Sequence, residues 1–217
     1  MRRWLSLSLL LLLLSQPIAL AELNPYRYLS SISVLQKQGD NTCSVTSINQ
    51  EKQYFLVAAH CVIPEWPVHN APYGPDVLAI DGKAAYVFDV DVDRDMAVMF
   101  VPGTSRPALK LAKQPVKYLD EVYMAGHPFG WANPTVFRGW VSSPSLIFAG
   151  ADDFPFNKAY MILQLSGAPG NSGSSVVNRK LEVVSLVQIS WGRSFEPVMG
   201  SAPYADLVEF AGKYFGR

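Results

Sequence analysis

Cysteine is the scarcest informative residue in this 217-residue chain, which holds two, Cys43 and Cys61. Two thiols alone do not make a metal site, and in an exported protein an even pair is most simply one disulfide. Two free thiols are the alternative. With seventeen residues between them, a bridge would stabilise the fold by about 3 kcal/mol on chain-entropy grounds. Charge is sparse too. Asp, Glu, Lys and Arg make up 17% of the chain, 18 acidic against 18 basic, so neither nucleic acid nor an anionic membrane is expected as a partner. Helical stretches able to build βαβ units are missing, as are internal repeats and low-complexity tracts beyond the N-terminus. A long apolar run occurs once, at the very start.

That start reads MRRWLSLSLLLLLLSQPIALA. Two arginines precede an apolar run from Trp4 to about Leu14, and a polar break leads to Ala19-Leu20-Ala21. A positive start, an apolar middle and small residues at alternate positions form a secretory signal peptide, with cleavage expected after Ala21. A retained anchor is the competing reading. Gln16 and Pro17 interrupt the run, and the uninterrupted part falls short of the roughly 20 apolar residues that cross a bilayer. Cleavage leaves residues 22–217, enough for one sizeable domain or two small packed units. The mature chain is expected to be soluble, secreted or periplasmic, with no stable membrane insertion.

What the chain has in quantity is short β-rich runs: SISVL, CSVTSI, YFLVAA, DVLAID, AAYVFDVDV, MAVMFV, EVYMAG, TVFRGWVSS, YMILQL, SSVVN and LEVVSLVQIS. Turn chemistry such as QGDN, PYGPD, GHPFGWANP and GAPGNSG separates them, which points to an all-β barrel or sandwich. One helical pattern stands at the end, where Leu207, Phe210, Ala211 and Tyr214 recur at i, i+3, i+4 and i+7. Pro, Gly and Ser cluster in VPGTSRPALKLAKQP (101–115), the best boundary between two strand-rich halves, 22–107 and 108–217.

The residues able to carry chemistry are few. Of three histidines, His60 ends the apolar run YFLVAAHCV beside Cys61; His69 sits in a polar loop, and His127 at a strand-to-turn junction reads as structural. FDVDVDRDMAVMF places Asp89, Asp91 and Asp93 on one face of a strand by alternation, a solvated face by default. A calcium loop is the lesser alternative, since the glycine required for its sharp turn is absent. Asp95 precedes an apolar stretch that should be buried, and a buried carboxylate needs a partner such as an imidazole N–H. GAPGNSGSS, residues 167–175, frames Ser172 with Gly170 and Gly173. A serine hydroxyl needs a base and an orienting group, and a developing oxyanion needs backbone N–H donors, which glycine's freedom at 170 would allow. Ser172 is the best nucleophile in the chain.

With these residues in view, the sequence resembles the chymotrypsin-like, trypsin-fold serine peptidases, and their bacterial branch in particular. FLVAAHC matches the segment around the family's base at His60, and Cys43 and Cys61 match its loop-closing disulfide. RDMAVMFV resembles the motif at Asp95, and APGNSGS the nucleophile loop at Ser172. ISWG, with Ser190, Trp191 and Gly192, is similar to the strand that pairs with substrate backbone. The resemblance implies two packed six-stranded antiparallel β-barrels with a C-terminal α-helix, and a peptide or protein substrate. It also implies a His60–Asp95–Ser172 triad with Gly170 and Ser172 N–H groups as oxyanion hole, and no metal or organic cofactor.

Two departures bear on activity. Animal digestive members place Asp before the serine to capture a new N-terminus, and Asn171 cannot form that ion pair, so activity without such a switch is expected. AGHPFG and the Asn resemble bacterial periplasmic heat-shock proteases, though too few residues remain for a PDZ domain. Ser166 stands where trypsin-like members carry an acid, so cleavage after Lys or Arg is not expected; a medium or large apolar residue is. A non-catalytic binding protein on the same scaffold, or an esterase with the same triad, are the rival readings.

Overall fold

β-branched and aromatic residues gather in runs of a few residues each, and these runs become the strands. The computed structural model describes residues 25–36, 42–63, 78–147, 158–190 and 196–216. The expected signal peptide, His69, Trp191 and Gly192 lie outside the described residues. The first half contains helix α1 (Pro25–Ser31) and strands β1 (Ile32–Gln36), β2 (Thr42–Asn49), β3 (Tyr54–Val57), β4 (Ala79–Ile80), β5 (Lys83–Ala84), β6 (Tyr86–Asp91) and β7 (Met96–Phe100). They form one antiparallel sheet in the order β5-β4-β1-β2-β3-β7-β6. This is a curled seven-stranded sheet where a six-stranded barrel was expected, and the difference has a local cause. The two edge strands, β5 and β6, are consecutive in the chain and separated only by Ala85, whose N–H donates to Leu78 C=O at 2.9 Å. One bent segment therefore pairs first with β4 and then with β7, which brings the sheet's edges together.

The second half contains β8 (Glu121–Gly126), β9 (Thr135–Ile147), β10 (Ala159–Gly167), β11 (Ser175–Val177), β12 (Val183–Ser190) and β13 (Glu196–Ser201). These close into a six-stranded barrel in the order β10-β13-β12-β11-β8-β9. Alternation is plain on β10, where Leu163 and Leu165 are buried and Gln164 and Ser166 exposed. Helix α2 (Tyr204–Ala211) follows and tightens into a 3₁₀ turn, Gly212–Tyr214. Its Leu207, Phe210 and Ala211 are buried, as the spacing predicts, and they pack into the core of the first sheet. A helix at the end of the chain thus clasps the half at its beginning. Among the described residues no helix is long and apolar enough to cross a membrane.

Three elements depart from the sequence reading. Helix α1 carries no periodicity long enough to announce it. β13 contains Pro197 and Gly200, both poor strand formers, and exists because β10 and β12 flank it. The acidic alternation stops early: β6 ends at Asp91, and Asp93 falls in the turn that leads to Asp95.

Candidate active site

His60 is aimed by a short piece of backbone. β3 ends at Val57 and the chain turns through a single 3₁₀ turn, Ala59–Cys61. Cys61 is disulfide-bonded to Cys43 on β2, so the turn is tied to the strand beside it. The His60 ring, 17% exposed, places Nδ1 3.0 and 2.9 Å from the two carboxylate oxygens of Asp95. The backbone N–H of His60 also donates to Asp95 Oδ1, at 2.9 Å. A carboxylate only accepts, so Nδ1 carries a proton, and in the neutral ring the lone pair then lies on Nε2.

Asp95 is 2% exposed and reaches this position from a left-handed backbone, φ 51°. Asp tolerates that region better than most residues. Two hydrogen bonds from His60 meet the need of a buried carboxylate for partners. The turn is held from the second half as well. Gln188 on β12 donates through Nε2 to the carbonyls of Arg94, at 2.6 Å, and Asp95, at 3.1 Å. Burial pushes the nearby Lys158 ammonium down to about 8 against the pull of the Asp95, Asp206 and Asp91 carboxylates. Burial, with Asp95 adding to it, raises the Tyr160 phenol above its ordinary value.

The loop carrying Ser172 is built from close backbone contacts. Gly170 has φ 97° and Gly173 φ 85°. A Cβ at Gly170 would collide with the backbone of His127, Phe129 and Gly130, the last 3.2 Å away. A Cβ at Gly173 would meet Ser44 O, the Val57 side chain at 3.1 Å and Ala58 N at 3.2 Å. Only glycine fits either place, and the second contact presses the Ser172 loop against the strand end that leads to His60. Within the loop, Asn171 N–H donates to Ala168 C=O (3.0 Å), Ser174 N–H to Asn171 C=O (2.9 Å) and Gly173 N–H to Val187 C=O (2.9 Å). Phe129 N–H donates to Pro169 C=O at 2.6 Å. No described peptide is cis, and in a trans unit C=O and N–H point in opposite directions. The N–H of Gly170 is therefore turned away from Phe129, and that of Ser172 away from Ser174.

Ser166 is exposed near the end of β10 and Ser190 half-buried at the end of β12, with β13 between those strands. Asn171 is fully buried. His127 is buried, with Nδ1 2.7 Å from Trp131 O. Cys43, His60 and Cys61 lie close enough to suggest a metal set, but the sulfurs are bonded to each other and supply no thiolate. Gln188 and Ser44, both in contact with this machinery, carry no sequence motif.

Residues 41–186, well over half of the chain, match the trypsin-like peptidase domain, and the chain belongs to that family. With the family match over most of the chain, this fold is that of a serine endopeptidase, a hydrolase. No curated protein sequence matches it. Among solved structures, the Rv3671c protease of M. tuberculosis in its active form is 17% identical with a TM-score of 0.69, covering 93% of this chain and 88% of its own. The inactive form of that protease gives 16% and 0.65, over 87% and 90%. The HtrA-type protease AlgW with a tripeptide gives 18% and 0.67, covering 87% of this chain and 61% of its own. At such identities the likeness is one of fold.

Proposed function

We propose that this protein is an exported serine endopeptidase that cleaves peptide bonds through an acyl-enzyme. The observation that carries the reading is the His60–Asp95 pair, bonded at 2.9 and 3.0 Å, set beside a loop so close that a Cβ at Gly173 would lie 3.2 Å from Ala58 N. Ser172 Oγ attacks the scissile carbonyl while His60 Nε2 takes its proton, and Asp95 stabilises the imidazolium that forms. The N–H groups of Gly170 and Ser172 receive the oxyanion. Collapse of the tetrahedral intermediate breaks the C–N bond, and His60 returns the proton to the leaving amine. Water then repeats the sequence on the ester, and Ser172 recovers its proton. Electron pairs and protons balance among these groups, so the steps call for no cofactor.

Ser190, with Trp191 and Gly192, pairs with the substrate backbone, and Ser166, standing where trypsin-like members carry an acid, favours an apolar residue over Lys or Arg. Residues 1–21 are a cleaved signal peptide, and 22–107 and 108–217 are the two halves of one peptidase domain. A disulfide in the first half accords with an oxidising compartment. The test is labelling with an organophosphonate serine probe alongside peptide hydrolysis. The wild type is labelled at Ser172, and Ser172→Ala loses hydrolysis by roughly 10⁴- to 10⁶-fold. Near-wild-type hydrolysis by the Ala variant overturns the reading.

A further inference from the structure

We propose that the side-chain hydroxyl of Ser44, on the first sheet, is a positioning group for the oxyanion donors of the second half; this rests on the peptidase reading above. Ser44 is fully buried on β2, next to Cys43. Its Oγ donates to the carbonyl of Gly170 at 2.8 Å and accepts the N–H of His127 at 2.8 Å. Its own N–H donates to the carbonyl of Ser172 at 2.9 Å. A carbonyl can only accept and an N–H only donate, so the single hydroxyl proton points at Gly170. The side chain thus joins Gly170 to the turn that supports it, while the backbone of the same residue holds Ser172.

Three successive peptide units set where the two donors point. The Pro169–Gly170 unit is held through its carbonyl by Phe129 N–H, and the Asn171–Ser172 unit through its carbonyl by Ser174 N–H. The unit between them, Gly170–Asn171, fixes the angle between the donors. Its N–H goes to Ala168 C=O at 3.0 Å, and its carbonyl goes to the Ser44 hydroxyl. Ser44 acts on the first unit as well, because His127, whose N–H it accepts, begins the turn that presents Phe129. Without the hydroxyl, the Gly170 carbonyl loses this donor and the buried His127 N–H its acceptor. The Gly170–Asn171 unit is then held only through the Asn171 N–H on Ala168 C=O, and glycine at φ 97° tolerates a tilt that a side chain would resist. Rotation turns the two N–H groups out of convergence, a loss felt in the transition state and not in ground-state binding.

The experiment compares wild type, Ser44→Ala and Ser44→Thr for peptide hydrolysis, affinity for a peptide boronic acid and thermal midpoint. Deleting an oxyanion donor outright costs about 10²- to 10³-fold in kcat, and misdirecting donors costs less, so Ser44→Ala is expected to lose about 10- to 100-fold. KM stays within about twofold, boronate affinity falls by the same factor as kcat, and Ser44→Thr, which keeps the hydroxyl, stays within about threefold of wild type. If the Ala variant does not fold, Ser44→Val, a strand former that matches Thr in shape but lacks the hydroxyl, is measured in its place with the same direction expected. A lowered thermal midpoint with kcat and boronate affinity unchanged assigns Ser44 to stability alone and overturns the proposal. A wild type that resists the phosphonate and hydrolyses nothing removes the peptidase reading and this inference with it; a reactive wild type matched by Ser44→Ala removes only the inference.

Discussion

Asp95 reaches His60 only because its backbone sits at φ 51°, and that geometry separates the role of its charge from the role of its shape. Asn at this position keeps the acceptor for the His60 N–H but presents an amide N–H₂ where Nδ1 now donates. Nδ1 must then accept, Nε2 takes the proton, and the base is lost with the fold intact. Asp95→Asn is expected to lower kcat on the order of 10⁴-fold, with an unfolding midpoint close to wild type, read by hydrolysis and circular dichroism. Gly173→Ala behaves in the opposite way. The added methyl meets backbone at Ser44 and Ala58 on a left-handed residue, so nothing flexible can yield. Its expected cost is about 2–4 kcal/mol of stability in urea unfolding, together with loss of activity.

Helix α2 is attached to the first sheet in two ways whose magnitudes differ. Arg94 bridges Asp91 at 2.7 Å and Glu209 at 2.7 Å, but Glu209 is 68% exposed, and such pairs contribute under about 1 kcal/mol. Leu207 is fully buried in the first core, and its truncation leaves a cavity costing about 2–5 kcal/mol. Leu207→Ala should therefore lower the urea midpoint several times more than Glu209→Ala, and equal effects would mean that charge holds the helix. The spacing of Leu207, Phe210 and Ala211 was legible because a helix repeats its buried face. YFLVAA opens with β3, Tyr54–Val57, for a related reason, since Tyr, Phe and Val are suited to a strand in their own right. α1 and β13 depend on distant partners instead. Tyr28 of α1 donates its hydroxyl to Ser175 C=O at 2.9 Å and accepts Ala125 N–H at 2.6 Å, contacts 147 and 97 positions away. The candidate site divides along the same line. His60 and Asp95 announce themselves through the residues beside them, whereas Ser44 and Gln188 act on partners 126 and 94 positions away. No local pattern encodes such contacts.

At the scale of the whole molecule, burial of ionisable groups where the two halves meet sets how stability follows pH. Burial holds the His127 imidazole below its usual 6.5. The unfolded chain therefore binds a proton that the folded one refuses, and stability falls as pH drops through 6.5. Lys158, pushed down to about 8, follows the same logic higher up the scale. Below 8 the ammonium is charged in both states; between about 8 and 10.5 only the unfolded chain keeps the proton, so stability rises with pH across that window. Asp95, Asp91 and Asp206 face Lys158 and oppose the shift, while Tyr160 lies under its Nζ at 5.0 Å. The buried phenols of Tyr28 and Tyr160 are raised above the ordinary 10.0, so above about pH 10 only the unfolded chain ionises them and stability turns down. Urea midpoints measured from pH 5 to 11 should climb from 5 to 7, climb again from 8 to about 10, and then fall. Lys158→Met should erase the second climb while leaving the first, and His127→Gln the reverse. A second climb that survives undiminished in Lys158→Met would show that another group produces it and that burial does not depress this lysine.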